Sequence, residues 1–446
     1  MNTKKQSMFV LPDGRNVLVT FLLVSSLFLL WGFCNGMIDV MDKHFQTQLK
    51  LSLAQSAWVQ FAHYLGYFLM ALPAGWLSTK LGYKGGIIAG LLMVAAGGFW
   101  FIPATHIASF WAFLLGVCVI AAGLTFLETI ANPYTTVLGD PRYAATRINL
   151  AQSCNGIGWI FGPIAGAAFF YGKDASGAGN GAETLWIPYA AVGAVVLVLT
   201  VIFFFSPMPD VKMEDDYHLD DSQPEVKHSI WSQPHFVMAV LAQFLYVAAQ
   251  AGIFSFFINY MTTQTPPVPD AWTSGILKSW FEAGKSGALA LSDQGAAQLA
   301  SLGFIFFLAG RFSGAVILKK CAAHKVLGLF GLLNVAICLL VVLKIGWLSV
   351  ACVFLSYFFM SIMFPTIFAL GIHGLGARAK QASSFIVMAI MGGAILPKLM
   401  GHVGDLHGMS VAFIVPLGCF AFVSFYGYAW PRLSKSDSLV RAGAEH

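Results

Sequence analysis

Two carboxyl groups lie inside long apolar stretches of this sequence. Asp39 belongs to a stretch that begins near residue 18, and Asn35 precedes it by one helical turn, so both side chains point the same way. Glu128 is flanked by apolar residues and threonines, with no oppositely charged neighbour in sequence. A carboxylate at the centre of a membrane costs about 2.5 to 3.5 kcal/mol on insertion scales, so such a group usually faces a cavity and binds protons or ligands. The sequence therefore predicts Asp39 and Glu128 as proton-coupling groups, and Asn35 and Glu128 as ligands of a polar molecule.

Both carboxyl groups also have a structural explanation. Charged residues at positions 42–44 follow Asp39 at once, which would suit a carboxylate at the outer membrane surface. Glu128 could form an ion pair with Arg311, and Arg311 could instead face the cytoplasmic headgroups. These alternatives stay open at the level of sequence.

Amide side chains form polar faces on segments that are otherwise apolar. One face comprises Asn149, Gln152 and Asn155; similar faces comprise Gln243, Tyr246 and Gln250, with Asn259 farther along, and Gln60, His63, Tyr64 and Tyr67. Amides both donate and accept hydrogen bonds, and aromatic rings cover the apolar face of a pyranose, so the pattern indicates a neutral polyhydroxy ligand. Hydrogen bonds between helices are the alternative. His63 suits a structural role better than a proton relay.

The elements that must position these residues are membrane-spanning helices. Of the 446 residues, 58% are hydrophobic and 10% are charged, against roughly 25% charged residues in a soluble domain. Apolar stretches near the roughly 20 residues of a transmembrane helix lie near 18–40, 55–78, 85–104, 108–131, 148–171, 185–206, 234–260, 297–318, 324–344, 346–371, 381–401 and 409–430. The sequence predicts twelve spans.

An acidic segment at 207–233 divides these spans into two sets. We predict an N-terminal six-helix half at 1–206, a cytoplasmic linker at 207–233 and a C-terminal six-helix half at 234–446. Pro133 and Arg147 in the first half recur as Pro365 and Arg378 in the second, which indicates a repeat. Parallel repeats of this kind predict a transporter with its binding site between the halves at mid-membrane.

Several function classes are excluded. The net charge of +5 is small and no basic run is present, so we expect no nucleic-acid partner. The seven cysteines lack the spacing of a zinc site and are predicted to be buried hydrophobes. Residues 284–286 (GKS) end like a phosphate loop, but its opening glycine is missing. We expect no metal, no cofactor and no enzymatic activity.

Most of the 25 Lys and Arg residues fall in the loops and tails on one side of the predicted spans. The positive-inside rule places that side in the cytoplasm, together with both termini and the acidic linker. The predicted location is the inner membrane, where the chain is a monomer surrounded by lipid.

Four motifs resemble those of the fucose:proton symporter family of the major facilitator superfamily. They are 127–133 (LETIANP), 147–152 (RINLAQ), 365–368 (PTIF) and 383–388 (SSFIVM), and the face of Gln243, Tyr246 and Gln250 is similar too. The resemblance covers nearly the whole chain. It implies an all-α membrane protein of twelve helices in two six-helix halves, with alternating access and proton-coupled uptake of a hexose or deoxyhexose. It further implies that Asp39 and Glu128 are the key carboxylates and that Gln152 binds sugar.

The superfamily's loop motif after the second helix is recognisable at 75–84 (GWLSTKLGYK), although Thr79 replaces its acidic residue. Gating roles are implied for the cations in this region and for others near the cytoplasmic side: Lys80, Lys84, Arg147, Arg311 and Arg378. Fucose-transporting members have Gln-Tyr where this chain has Met363 and Phe364. The sugar therefore stays open among fucose, galactose, glucose, mannose and N-acetylglucosamine.

We conclude from the sequence that the chain is a monosaccharide:proton symporter. The predicted substrate-binding residues are Asn35, Glu128, Asn149, Gln152, Asn155, Tyr246, Gln250 and Asn259. A sodium-coupled or uncoupled sugar carrier is the main alternative, and a drug or lipid exporter is a weaker one. A membrane sensor would need a signalling domain or a long tail, which the sequence lacks.

Overall fold

The computed structural model describes residues 8–11, 14–107, 109–139, 144–171, 186–209, 229–266, 280–283, 289–318, 321–373, 375 and 379–434. Nearly all of these residues are helical. The predicted linker falls mostly on 210–228, and Arg378 also lies outside the described residues.

The described part of the chain contains sixteen α-helices. They are α1 (Leu18–Gln48), α2 (Leu53–Ser56), α3 (Trp58–Ile107), α4 (Phe110–Val137), α5 (Ala144–Tyr171), α6 (Trp186–Phe205), α7 (Pro234–Ser255), α8 (Phe257–Gln264), α9 (Asp293–Leu318), α10 (Ala323–Val342), α11 (Trp347–Met360), α12 (Met363–Ile372), α13 (Ala379–Met388), α14 (Gly392–His407), α15 (Met409–Ala412) and α16 (Ile414–Ser434). A two-stranded antiparallel hairpin, β1 (Phe281–Ala283) with β2 (Leu289–Leu291), precedes α9 and pairs Glu282 with Ala290.

Among the described residues, ten helical segments are long and apolar enough to cross a membrane. Their outward side chains are apolar: Val19 is 71% exposed and Phe205 is 78% exposed, as expected for residues that face lipid tails. The first part of α3 and the amide-bearing α5 have helical lengths that suit the other two predicted spans. The structure is consistent with twelve spans.

Helix boundaries differ from the apolar stretches in several places. The second and third predicted spans are two helical segments, numbered together here as α3, that meet at a kink at Gly82, whose φ of 66° and ψ of −179° suit glycine almost exclusively. The seventh span is divided between α7 and α8, and the tenth between α11 and α12. Such breaks are tolerated in membrane helices when neighbouring groups satisfy the freed backbone.

Contacts between residues divide the chain into two compact units. The first unit comprises Met1–Met41 and Ala62–Asp216, and the second comprises Asp42–Phe61 and Tyr217–His446. The second unit therefore includes the C-terminal end of α1, all of α2 and the start of α3. The six-plus-six domain division stays a prediction.

Within the first unit, α1 and α5 approach closely at glycines. A β-carbon added at Gly162 would lie 2.7 Å from the Phe33 carbonyl oxygen and 2.8 Å from the Gly36 Cα atom. A β-carbon at Gly36 would likewise lie 3.0 Å from the Trp159 carbonyl oxygen. Small residues at such contacts let two helix backbones meet, which is how membrane helices associate without a hydrophobic driving force.

Within the second unit, aromatic rings fill the space between helices. Tyr357 of α11 stacks on Phe254 of α7 at 4.5 Å between ring centroids, and the edge of Phe304 meets Tyr357 at 5.5 Å. The segment around α2 is tied to α14, because the Asp405 carboxylate accepts hydrogen bonds from the Leu53 and Ala54 amides at 2.8 and 3.0 Å. These bonds satisfy two backbone N–H groups in the first turn of α2, which have no acceptor within the helix itself.

We expect Gly162→Ala to destabilise the protein, because the added methyl group overlaps the α1 backbone, which cannot move as a side chain could. Overpacking of this kind typically costs about 1–3 kcal/mol. Thermal unfolding of purified protein in detergent measures the effect as a lower apparent Tm. Gly418→Ala on α16 is the control, because no atom lies within 4 Å of its added β-carbon. Equal Tm values for the two variants would contradict close packing at Gly162.

Candidate functional site

Four polar side chains meet in the first unit: Trp31, Asn35, Tyr67 and Glu128. Together with His63, they are called the α1–α4 polar cluster below. The Trp31 indole N–H of α1 donates to the Tyr67 hydroxyl of α3 at 2.5 Å. Asn35 also hydrogen-bonds Tyr67, and Tyr67 lies within the electrostatic field of Glu128 on α4. The His63 ring lies 4.9 Å from the Tyr67 ring between centroids. The structure thus brings together the predicted residues Asn35 and Glu128.

Free hydrogen-bonding capacity remains in this cluster. The Asn35 Oδ1 and His63 Nδ1 atoms are buried, and neither has a partner in the described part of the chain. Glu128 is partly exposed, and no ion pair of its carboxylate is found among the described residues of its own unit. A carboxylate, an amide oxygen and an imidazole nitrogen are groups that bind hydroxyls or protons.

The amides predicted on α5 have different surroundings. Gln152 Nε2 donates to Asn132 Oδ1 at 2.9 Å, and Asn132 Nδ2 donates to the backbone oxygen of Glu128 at 3.0 Å. Asn155 is buried and donates to the Phe28 carbonyl at 3.3 Å, a bond between helices. Asn149 belongs to α5, but its side chain lies outside the described residues. Gln152 is therefore linked to Glu128 through Asn132.

The predicted residues of the second unit are partly committed to structural bonds. Tyr246 is fully buried, and its hydroxyl donates to the Met360 carbonyl at 3.0 Å. Asn259 lies on α8 and donates to Gln46 Oε1 at 2.5 Å. Gln250 is half-buried on α7, while Gln243 is fully buried with both amide atoms unpartnered among the described residues. Binding roles for these residues stay predictions.

The two carboxyl groups on α1 are both buried. Asp39 is 8% exposed, and α1 continues for more than two turns beyond it. Asp42, one turn later, is 1% exposed, and its Oδ2 accepts a hydrogen bond from Ser255 Oγ at 2.5 Å. The helix therefore continues through the polar run at 42–44, and the position of these residues relative to the membrane surface stays open.

The predicted gating cations lie in several environments. Lys80 is exposed with its ammonium 4.1 Å above the Trp76 ring, and Lys84 donates to the Ser206 carbonyl at 3.0 Å. Arg311 donates to the Ser361 carbonyl at 3.5 Å and lies 5.1 Å from the Phe307 ring centroid. A gating role for these cations stays a prediction.

Arg147 makes a different set of contacts. It is fully buried, and it donates to the carbonyls of Thr135 at 3.0 Å, Met8 at 3.0 Å and Gly139 at 3.4 Å. One guanidinium therefore joins the end of α4 and the segment before α1 to α5. Five donors in a rigid fork suit this bridging role.

Sequence reasoning misses two members of the site, Trp31 and Asn132, and one further buried acid, Asp42. Trp31 is hidden among apolar neighbours, and its hydrogen bond to Tyr67 depends on how α1 and α3 pack. Asn132 precedes Pro133, and its position four residues after Glu128 is the signal that could have found it. For Asp42, the sequence offers no indication of burial other than its position three residues after Asp39. No group of three or more potential metal ligands is found in the described part of the chain.

Comparisons with known proteins agree with this architecture. The model of the Major Facilitator Superfamily matches residues 17–397. The chain is 34% identical to the Escherichia coli L-fucose-proton symporter over 434 residues, which is 93% of each chain, and 32% identical to the Brucella abortus glucose/galactose transporter over 402 residues, which is 90% of this chain and 91% of the relative.

Solved structures show the same relationship. The crystal structure of the E. coli fucose:proton symporter in its outward conformation superimposes with a TM-score of 0.64 at 33% identity, covering 93% of this chain and 99% of that one. A D-xylose-proton symporter gives a TM-score of 0.70 at 11% identity, covering 93% and 98% of the two chains, which shows a shared fold.

We expect Arg147→Lys to lower stability by roughly 2 kcal/mol or more, because lysine keeps the charge but cannot reach three carbonyls and leaves buried acceptors unpaired. Thermal unfolding in detergent measures the loss. Arg432→Lys, at an exposed arginine near the end of α16, is the matched control and leaves the apparent Tm unchanged. A tolerated Arg147→Lys would mean that charge alone is required there.

Proposed function

We propose that this chain, which belongs to the major facilitator superfamily, is a proton-coupled monosaccharide symporter that works by alternating access. It takes up a hexose or deoxyhexose such as fucose, galactose or glucose. The relatives named as fucose-proton symporters and glucose/galactose transporters support this substrate class. The chain is a multi-pass membrane protein and not an enzyme.

The α1–α4 polar cluster is the observation that carries the proposal. A sugar offers hydroxyls around its rim and an apolar face, so it needs acceptors, donors and an aromatic surface together. Glu128 and the unpartnered Asn35 Oδ1 supply acceptors, while Trp31 and Tyr67 supply aromatic surface beside them. Gln152 contributes donors and is oriented by Asn132. We therefore assign sugar binding in the first unit to this cluster.

Proton coupling is assigned to Asp39, with Glu128 linking the proton to the sugar. Asp39 is buried on the helix that also carries Trp31 and Asn35, and it lies one turn after Asn35, so its ionisation changes the charge close to the proposed sugar-binding residues. A carboxyl group moved from water into an apolar site favours its neutral form. A proton bound at Asp39 therefore lowers the free-energy cost of closing the sugar-bound site to water.

The second unit is expected to contribute Gln250, Tyr246 and Asn259. Phe364, where fucose-transporting relatives have tyrosine, packs its edge against the Tyr246 ring at 6.5 Å between centroids. An apolar ring at this position favours a substrate with fewer polar contacts on that side. We further propose that the protein acts as a lipid-embedded monomer in the inner membrane with both termini in the cytoplasm, and that the cations named above gate the cytoplasmic side.

Two other functions differ in measurable ways. A sodium-coupled or uncoupled sugar carrier would use the same amide and carboxyl groups, because a cation can replace a proton at a carboxylate. A drug or lipid exporter would make use of the apolar surface and would have no need for acceptors such as Glu128. Sugar uptake driven by an imposed gradient separates these possibilities.

We expect Glu128→Gln to weaken sugar binding by tenfold or more and to flatten the pH dependence of binding. The substitution keeps shape and one acceptor but removes charge-assisted bonds, which are about twice as strong as neutral ones. Calorimetric titration of purified protein at several pH values measures both effects. Asp39→Asn should retain binding and sugar exchange but lose accumulation against a gradient.

Asp293→Asn is the control for these variants, because Asp293 is a partly exposed acid that pairs with Lys43 at 3.7 Å. It should bind and accumulate sugar as the unmodified protein does. If Asp39→Asn still accumulates sugar under an imposed pH difference, Asp39 is not the proton carrier. If Glu128→Gln binds with unchanged affinity and pH dependence, Glu128 is structural.

A panel of labelled fucose, galactose, glucose, mannose and N-acetylglucosamine identifies the substrate in one proteoliposome preparation. We expect saturable uptake of at least one of these sugars, driven by an inward proton gradient and abolished by a protonophore. Sodium and pH gradients are imposed separately. Uptake that needs sodium and resists the protonophore would contradict proton coupling, and absence of uptake of every sugar would contradict the substrate class.

A further inference from the structure

The transport mechanism proposed above leaves one buried carboxyl group unused. Asp42 belongs to the second unit, and only 1% of the residue is exposed. Its Oδ2 accepts from the hydroxyl of Ser255, the last residue of α7, and its Oδ1 has no hydrogen-bond partner among the described residues. A side chain from the end of α1 is thus inserted against the end of α7.

The charges around Asp42 do not neutralise it. Lys43 is the cation whose field reaches the carboxyl group, but its ammonium contacts Asp293 Oδ1 at 3.7 Å and Gln46 Oε1 at 3.4 Å instead. Asp39 and the buried His44 lie on the same helix. The structure contains no ion pair of Asp42 among the described residues.

Other titratable groups stand on the helix packed against α2. On α14, Asp405 accepts hydrogen bonds from the Leu53 and Ala54 amides, and His402 and His407 are exposed. The ammonium group of Lys398, also on α14, lies 3.9 Å from the centroid of the Trp58 ring. The effect of these α14 side chains on the segment must be separated from that of Asp42.

An ionised Asp42 would be poorly accommodated. A buried carboxylate needs several donors or a cation to offset the loss of water, and here the side-chain donors are two serine hydroxyls, Ser255 and Ser56, with no cation paired to it among the described residues. A neutral carboxyl group has a smaller desolvation cost, and one hydrogen bond to Ser255 satisfies much of its capacity.

We propose that Asp42 holds a proton while residues 42–61 are packed in the second unit, and that this proton passes to water when the segment separates from α7. Asp42 is then a proton-binding group additional to Asp39 and Glu128. It couples pH to the packing of the α1–α3 connection, and this coupling holds whichever sugar is transported.

The direction of the pH effect follows from linkage. Because the packed form holds a proton that the separated form loses, packing is most stable at low pH and weakens as pH rises. For one proton, the equilibrium between the two forms changes by at most tenfold per pH unit.

Hydrogen–deuterium exchange of the full-length purified protein tests this directly. Exchange is followed for a peptide spanning 49–61, which includes the Leu53 and Ala54 amides, between pH 6 and 8.5. Asp42→Asn mimics the neutral carboxyl group and is measured at the same pH values, so that intrinsic exchange rates cancel. We expect the ratio of unmodified to Asp42→Asn exchange to rise with pH, approaching tenfold per unit. A ratio that is constant with pH would overturn the proposal.

Three control variants separate Asp42 from its neighbours. Asp293→Asn, His44→Gln and the double variant His402→Gln/His407→Gln should keep the pH dependence of the unmodified protein. If a histidine variant abolishes it, the histidine and not Asp42 is the sensor. Sugar binding, measured on the same samples, reports separately on the proposed transport function.

Ser255→Ala covers the case in which Asp42→Asn does not fold. Removing the hydroxyl takes away one of the two serine donors that an ionised Asp42 would have, so the rise of exchange with pH should continue to a higher pH before it levels off. A rise that levels off at the same pH in Ser255→Ala as in the unmodified protein would show that Asp42 does not titrate in this process.

Discussion

The burial of carboxyl groups inside an apolar bundle is the constraint on which the other features of this protein depend. Lipid tails and packed helices offer no water, so each acid must find donors, a cation or a proton. Asp39, Asp42 and Glu128 meet this requirement in different ways. Glu128 remains partly exposed beside Tyr67, while Asp42 is enclosed with two serine hydroxyls, Ser255 and Ser56. The separate roles proposed above for the three acids rest on these differences.

Helix α1 has a central part in this arrangement because it belongs to both compact units. Its earlier turns carry Trp31 and Asn35 within the first unit, and its last turns carry Asp42 within the second. Glycine contacts with α5 hold the earlier turns close to a second backbone, where helix movement would break many contacts at once. The proposed ligand-binding groups thus stand on a closely packed surface, while the later turns combine the buried ring of Phe45 with the polar bond between Asp42 and Ser255.

Much of this architecture is accessible from sequence because lipid imposes strong rules. Apolar length predicts the helices, and the motif at 127–133 indicates the family that the matched superfamily model and the relatives confirm. Helix breaks were harder to predict: the separation of α7 from α8 at residues 255–257 follows from tertiary packing, and no proline marks it. The exact ends of apolar stretches carry little information about backbone geometry.

The site was predicted less completely for a physical reason. Periodicity shows which residues share a helix face, but the partner of a polar group depends on which helix packs against it. Gln152 is among the predicted binding residues, whereas its acceptor Asn132 is not. Asn259 and Tyr246 have the predicted polar character, yet their hydrogen bonds go to Gln46 and to the backbone of Met360. The burial of Asp42 is not predicted, because sequence does not show how deeply a helix is enclosed.

The backbone at Gly82 has an evolutionary consequence. Its combination of φ and ψ is closed to residues with a β-carbon, so the junction between the two parts of α3 depends on this one residue type. Lys80 and Lys84 flank it, and their side chains leave the helix on either side of the bend. Descendants of this chain could change substrate by altering Trp31 or Phe364, but a change at Gly82 would alter the path of the chain itself. Substrate preference and topology can therefore diverge independently in this lineage.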